Sequence, residues 1–231
     1  MDVFVIPVGP DRYELYCEQP FTAEPQSATA AAGMFGRIKQ RFEDLLRRAE
    51  QWEPPEDGAR RGMVARFQDK AMAWVAERVA EQRLLWNLRR EIVVTAAHPD
   101  DLPIDTVRAI VHRALQQDLE RHQYWVWVDG LLFLVTFVVL GPLFLLIPGI
   151  ANLPAVYFGF RAVGHWYSRG GARHGLRSVV WEGRPCPPLT ELRAVTSLPP
   201  AELDARVHGI AARLQLQNLA AFYERVIKAS L

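Results

Sequence analysis

GLLFLVTFVVLGPLFLLIPGIANLPAVYFGF, residues 130–160, is a run of 31 residues between Asp129 and Arg161 with no Asp, Glu, Lys, Arg or His. About 20 apolar residues suffice to cross a ~30 Å hydrocarbon core as helix. This run is longer, and Gly141-Pro142, Pro148-Gly149 and Pro154 interrupt it. Proline removes a backbone donor and crowds the preceding turn, so the pattern predicts two helical arms around a turn instead of one straight helix. A pair of core helices in a soluble protein is the competing reading. Such helices carry a polar face, and Leu131 to Leu140 carries none.

Outside this run the composition is that of a soluble protein. Charged residues make up 23% of the 231, and the net charge is +1. There is no global field to draw in nucleic acid, and basic residues alternate with acidic ones on most helices. A mainly soluble chain tethered by a short apolar segment is the implied class. Cys17 and Cys186 stand far apart with no CxxC, so two reduced thiols are expected. The six histidines form no HExxH and no i,i+4 pair, so neither a metal nor another cofactor is expected. The first ten residues have no basic n-region followed by an apolar stretch. The soluble parts are expected to stay in the compartment of synthesis.

Upstream, DVFVIPV (2–8), Gly9-Pro10-Asp11 and RYELYCE (12–18) read as a β-hairpin. A lone hairpin is marginal in water, and Ser178-Val179-Val180-Trp181 offers a third strand. Residues 19–33 read as a linker. Met34 to Trp52 reads as a basic amphipathic helix, suited either to an anionic membrane surface or to packing on the soluble body. Residues 53–62 break it, and Met63 to Ala97 is expected as one long helix with Val64, Phe67, Val75, Leu85 and Leu88 on its stripe. His98-Pro99-Asp100-Asp101-Leu102-Pro103 then ends one helix and caps the next.

From Asp105 no breaker precedes Gly130, so that helix is expected to run into the first membrane arm. Tyr124, Trp125 and Trp127 on one flank, and Trp166, Arg169 and Arg173 on the other, mark the expected membrane interfaces. The turn carries no Lys or Arg, which places both termini in the cytoplasm by the positive-inside rule. Arg184 to Pro188 reads as a stiff loop and 189–195 as a short helix. Leu203, Val207, Ile210 and Leu214 then form an amphipathic stripe. The fold class is thus mainly α, a helical membrane hairpin with long cytoplasmic helices, a small N-terminal β-hairpin and a C-terminal helical module. The segments are 1–18 (β-hairpin), 19–33 (linker), 34–98 (cytoplasmic helices), 99–177 (long helix plus membrane hairpin) and 178–231 (strand and helical module).

The second arm carries the chemistry. Tyr157, Arg161, His165 and Ser168 or Arg169 follow one another at helical steps, a polar stripe on an apolar helix. Ionisable groups near a bilayer face a partner or a cavity. Asp129 and Arg161 are each 16 residues from Leu145, so a turn centred there brings them level and makes them the natural pair. The alternative is that both charges simply mark the edges of the membrane. His165 beside Arg161 could relay a proton, although a histidine at an interface also serves as a plain anchor. No nucleophile–base set and no phosphate loop is found, so an enzyme is not expected.

Asn152-Leu153-Pro154, Phe160-Arg161, His165-Trp166 and Gly170-Gly171 together resemble the membrane motif of the mitochondrial K+–H+ exchange-related proteins. That motif is a Pro-Asn-x-Pro turn, five residues, Phe-Arg, three residues, His-Trp and a small-residue exit. The spacing here matches without a gap, and only Ala151, in place of the first proline, departs from it. PVGPDRYELYCE, EQRLLWNLRR and HPDDL are similar to bacterial members. The resemblance implies an integral inner-membrane protein associated with potassium–proton exchange, here in a bacterial-type cytoplasmic membrane. It adds Asn152 to Asp129, Tyr157, Arg161 and His165 as polar candidates for an ion or proton pathway. Two arms cannot enclose an ion path. The expectation is therefore a component or regulator of exchange, working as a homo-oligomer or with a protein partner. The alternative is a membrane-anchored scaffold that binds a protein through its cytoplasmic helices.

Overall fold

The computed structural model describes residues 1–19, 44, 82–144 and 153–228. The readings made for 20–81 and 145–152, including the linker, the basic helix, the start of the long helix and Asn152, fall outside those residues apart from helical Asp44. The chain divides into two compact units, one of Met1–Gln19, Leu88–Arg121 and Arg169–Leu231, the other of Pro20–Asn87 and His122–Ser168. The described elements are mainly helical with one small sheet.

In the first unit, β1 (Asp2–Pro7) and β2 (Tyr13–Tyr16) form the expected hairpin, with Phe4 opposite Tyr16 and Pro7 opposite Tyr13. The Val8 amide donates to the Arg12 carbonyl at 2.9 Å and closes the turn. The segment Val93–His98 is not the end of a helix, as its place in a long apolar pattern had suggested. Helix α1 occupies 82–88, and β3 (Val93–His98) then inserts beside β1. Both β1–β3 and β3–β4 are parallel, and the sheet order is β2-β1-β3-β4. Val93, Val94 and Thr95 are β-branched and suit an extended backbone. Buried parallel strands read as continuous apolar runs without alternation, which is why the period misleads here. Val3, Val5, Ile6, Val94 and Ala97 are all inaccessible.

The fourth strand, β4 (Val180–Pro185), overlaps the anticipated third strand but pairs with β3 and not with the hairpin. It also takes up Arg184 and Pro185 from what read as a stiff loop. Pro187 and Pro188 start α4 (Pro187–Val195), since proline costs nothing at a first helical turn whose N–H groups have no intrahelical partner. Helices α5 (Pro200–Leu214) and α6 (Leu219–Lys228) follow. Leu203, Val207 and Ile210 pack with Ile6, Tyr16, Ala97, Leu189 and Leu219 in one core, and Leu214 lies against it. The amphipathic stripe is therefore the seam that closes this helical module over the sheet. Cys17 and Cys186 are both buried, and no disulfide joins them.

The Asp100-Asp101 pair serves α4 instead of capping the helix that follows it. Asp100 accepts from the Thr190 hydroxyl, its own amide donates back to Thr190 Oγ1 at 2.9 Å, and Asp101 pairs with Arg193 at 2.6 Å. Glu18 reaches much further along the chain. Its carboxylate accepts from the backbone amides of Gln217 (2.9 Å) and Asn218 (2.6 Å), just before α6. An anion there satisfies donors that a helix N-terminus leaves open and complements the helix dipole.

Helix α2 (Ile104–Phe144) is continuous for 41 residues, as the lack of a breaker before Gly130 requires. It passes through Gly141-Pro142, which had been expected to begin the turn. Pro142 removes one amide donor without ending the helix, a defect tolerated in apolar surroundings when neighbours satisfy the freed carbonyl. Helix α3 (Leu153–Arg177) has Pro154 in its first turn. Both helices contribute residues to both units.

Candidate functional site

The second unit holds the charged cluster. Residues 122, 129 and 133 of α2 lie against 165, 161 and 159 of α3, so the two helices run antiparallel there. A Cβ on Gly159 would stand 3.2 Å from the Phe133 ring, which shows how tightly the helices approach. Helix α1 packs on the same part of α3. Trp86 Nε1 donates to Ser168 Oγ at 2.9 Å and reaches the Gly164 carbonyl at 3.3 Å, and Ser168 Oγ donates to Gln82 Oε1 at 3.0 Å. A Cβ on Gly164 would meet Gln82 Oε1 at 3.3 Å. Trp86 and Ser168 are fully enclosed.

One helical turn from this anchor, Asp129 presents Oδ2 to Arg161 Nε at 3.3 Å and to His165 Nε2 at 3.5 Å. The Asp129 side chain is 0% exposed, that of Arg161 21% and that of His165 12%. Arg161 is held from other sides by the Trp125 ring (5.4 Å to the centroid) and the Tyr157 ring (5.5 Å), with Nη1 3.4 Å from the Tyr157 hydroxyl. Both rings offer their negative faces to the guanidinium. The Trp125 ring stacks on His165 with centroids 6.2 Å apart. His165 Nδ1 lies 2.7 Å from His122 Nδ1. His122 is itself buried.

Asp129, Arg161, His165 and Tyr157 are thus brought together, and the anticipated Asp129–Arg161 pair is made. Trp125, half-buried, also belongs to this cluster. Trp127 is 74% and Trp166 54% exposed. Arg169 and Arg173 belong to the other unit, Arg169 half-buried and Arg173 exposed.

The sequence reading gives His122 no role, and Gln82 and Trp86 only a place in the EQRLLWNLRR stretch of the expected long helix. His122 did leave a signal, for it precedes Asp129 by seven residues, two helical turns, and so shares its face. Among the described residues no cluster of His, Cys, Asp and Glu could hold a metal ion. The arrangement can bind and exchange protons and hold a desolvated ion pair.

Directly after Asp129, every apolar residue from 131 to 139 of α2 is exposed, while Thr136 is half-buried. Leu131 and Val138 reach 61% and 63% of full exposure. The helix is long and apolar enough to cross a membrane. A mainly helical fold with one such helix, and a buried acid–arginine–histidine cluster at its foot, defines the class. The chain belongs to the mitochondrial K+–H+ exchange-related family, whose model matches residues 2–179. The matched range contains the whole cluster and ends just before β4. No curated protein and no solved structure matches the chain.

Proposed function

We propose that this protein is an integral membrane component or regulator of monovalent cation–proton exchange, and not a stand-alone exchanger. The observation that carries this reading is the buried Asp129–Arg161–His165 cluster at the foot of a helical stretch, 131–139, whose apolar side chains are all exposed. Apolar surface in water costs about 25 cal/mol per Å², and a bilayer removes that cost. Helices α2 and α3 would cross it as a hairpin in a bacterial-type inner membrane, with both termini in the cytoplasm. The arginine-bearing flanks and the uncharged turn support that orientation. Ionisable groups at membrane depth mark ion or proton pathways and are otherwise selected against. Family membership supports potassium and protons as the ions concerned.

A two-helix hairpin does not enclose a path, and transporters of this kind are built from many helices with sites at the midplane. A second copy or a membrane partner is therefore needed, and no catalytic chemistry is assigned to the chain. The test compares K+/H+ exchange in membrane vesicles from cells that make the protein and cells that lack it, alongside purified protein in liposomes. A difference between the vesicles with silent liposomes is expected. Equal exchange in the two vesicle preparations would overturn the function, and exchange by the purified protein would overturn the regulatory assignment.

A membrane-anchored scaffold is the second reading. It draws on the exposed Ile92, Val93 and Val180 at one end of the sheet. Retention of a specific partner by the wild type, lost in an Ile92→Ser/Val180→Ser variant, would favour it.

A further inference from the structure

We propose that the outer edge of β4 is the interface of a two-fold dimer, in which β4 pairs antiparallel with β4 of a second copy about Gly183. The edge lies outside the charged cluster, so this goes beyond the exchange reading and does not depend on it.

Strand β4 ends the sheet, with β3 on its inner side and no strand on its outer side among the described residues. The Val180 amide donates to the Ile92 carbonyl and the Cys186 amide to the His98 carbonyl, each at 2.8 Å. Main-chain groups alternate in direction along a strand. Val180, Glu182 and Arg184 therefore turn theirs to β3, and Trp181, Gly183 and Pro185 turn theirs outward. Proline has no amide hydrogen, which leaves two outward donors, on Trp181 and Gly183. The whole strand is exposed apart from half-buried Trp181.

A two-fold axis makes such a pairing isologous, each copy offering the same strand. With the axis on Gly183, each Gly183 amide donates to the other Gly183 carbonyl, and each Trp181 amide to the other Pro185 carbonyl. All four outward donors of the pair are then bonded. Glu182 falls directly opposite Arg184 of the second copy on both sides of the axis. These are the closer kind of antiparallel neighbours, with Cα atoms about 4.5 Å apart. Arg184 already reaches Asp2 at 3.1 Å, and Glu182 has no ion pair among the described residues. Axes on Trp181 or Glu182 keep the hydrogen bonds, but they set Glu182 against Val180 or against its own copy. Opposite charges facing each other stabilise a strand pair and like charges destabilise it, so the charges choose the register.

The other face agrees with that choice. A Cβ on Gly183 would run into the Ile104 side chain of α2, so Trp181 and Pro185, two positions to either side, turn toward the same helix. Trp181 Nε1 donates to the Gly175 carbonyl at 2.9 Å, which fixes the indole. With Val111, Leu115 and Leu176 it lines a mostly apolar groove of about 280 Å³. The residue opposite Trp181 in this register is Pro185 of the second copy, which brings a rigid apolar ring beside that wall of the groove.

The experiment is sedimentation velocity of the full chain in mild detergent over a range of protein concentration, with hydrogen exchange at 180–185 read at both ends of the range. A dimer is expected, with the Trp181 and Gly183 amides protected only at the high end. Glu182→Arg and Arg184→Glu should each weaken the dimer, on the order of tenfold in dissociation constant, by setting like charges opposite each other twice. An equimolar mixture of the two variants should regain wild-type affinity, since each chain then supplies the charge that the other lacks. Arg184→Glu also faces Asp2 within its own chain, and the mixture separates that local effect from the pairing. A monomer throughout, or a dimer whose edge amides exchange equally at both ends, would overturn the interface. Variants that pair as tightly as the wild type, or a mixture without recovery, would overturn the register. None of these readouts depends on ion flux, so their failure leaves the exchange reading standing.

Discussion

Asp129 and Arg161 meet at 3.3 Å with the carboxylate fully buried and the guanidinium largely so. They stand 32 positions apart in sequence, on helices that run in opposite directions. Removing one member of a buried pair leaves an uncompensated charge and typically costs about 3–5 kcal/mol. Arg161→Leu should therefore lower stability by about 3 kcal/mol, because Asp129 stays behind. Asp129→Asn/Arg161→Leu should recover much of the loss. Thermal unfolding of the purified protein in detergent, followed by helical circular dichroism, measures both. Additive losses in the double variant would show that the pair is not coupled.

The anchor of α1 on α3 gives a second expectation. Trp86 Nε1 is fully buried and bonded to Ser168 Oγ and the Gly164 carbonyl. Trp86→Phe removes that donor and leaves buried acceptors, a change worth about 1–3 kcal/mol. Trp127→Phe, on an exposed side chain, should shift stability by less than about 0.5 kcal/mol. The same melting experiment compares them.

Asp118 in α2 makes stability depend on pH. Burial pushes its carboxyl up to about 6, with Glu14 adding to the rise and Arg121 opposing it. The folded state therefore holds a proton that the unfolded chain releases near pH 4, so stability falls as pH rises from about 4 to about 6 and is flat above. Asp118→Asn removes the burden of the buried charge. It should gain roughly 3 kcal/mol over wild type at pH 8, at about 1.4 kcal/mol per pK unit, and nothing at pH 4. Denaturation midpoints across pH 4–8 check both the sign and the window.

Glu18 ties the end of the hairpin to α6 through the amides of Gln217 and Asn218. Loss of such a cap costs about 0.5–2 kcal/mol. Glu18→Ala should fall in that range, and Glu18→Gln, which keeps an acceptor oxygen, should fall lower. Hydrogen exchange at residues 217–222 should quicken in Glu18→Ala before exchange at β1 does. Equal protection in both segments would place the role of Glu18 elsewhere.

Tyr223 supplies the opposite case. Its hydroxyl is buried and makes no hydrogen bond among the described residues. Tyr223→Phe deletes a desolvated polar group, so it should be neutral or raise stability by up to about 1 kcal/mol. Chemical denaturation at neutral pH measures the change, and a clear loss would reveal a partner for the hydroxyl.

Much of this protein is visible to local reasoning. The uncharged run, the unbroken helix leading into it, the hairpin before Cys17 and the Leu203–Val207–Ile210 seam all follow from side-chain period and turn chemistry, which act over a few residues. The pairing of Asp129 with Arg161 follows too, because they are the opposite charges that flank the uncharged run. What local reasoning does not reach depends on partners distant in the chain. VVTAAH becomes a strand only because β1 and β4 stand on either side of it. Asp100 and Asp101 turn to α4, and Glu18 caps a helix 200 residues away, since a carboxylate goes to whichever open donor the fold brings near. His122 shares a helix face with Asp129 in the sequence, but only the antiparallel meeting of α2 and α3 sets it 2.7 Å from His165. The sequence by itself determined where the apolar helix lies and which charges flank it, because hydropathy is a property of each segment. The tertiary structure decided which of those charges touch, because contact is a property of pairs.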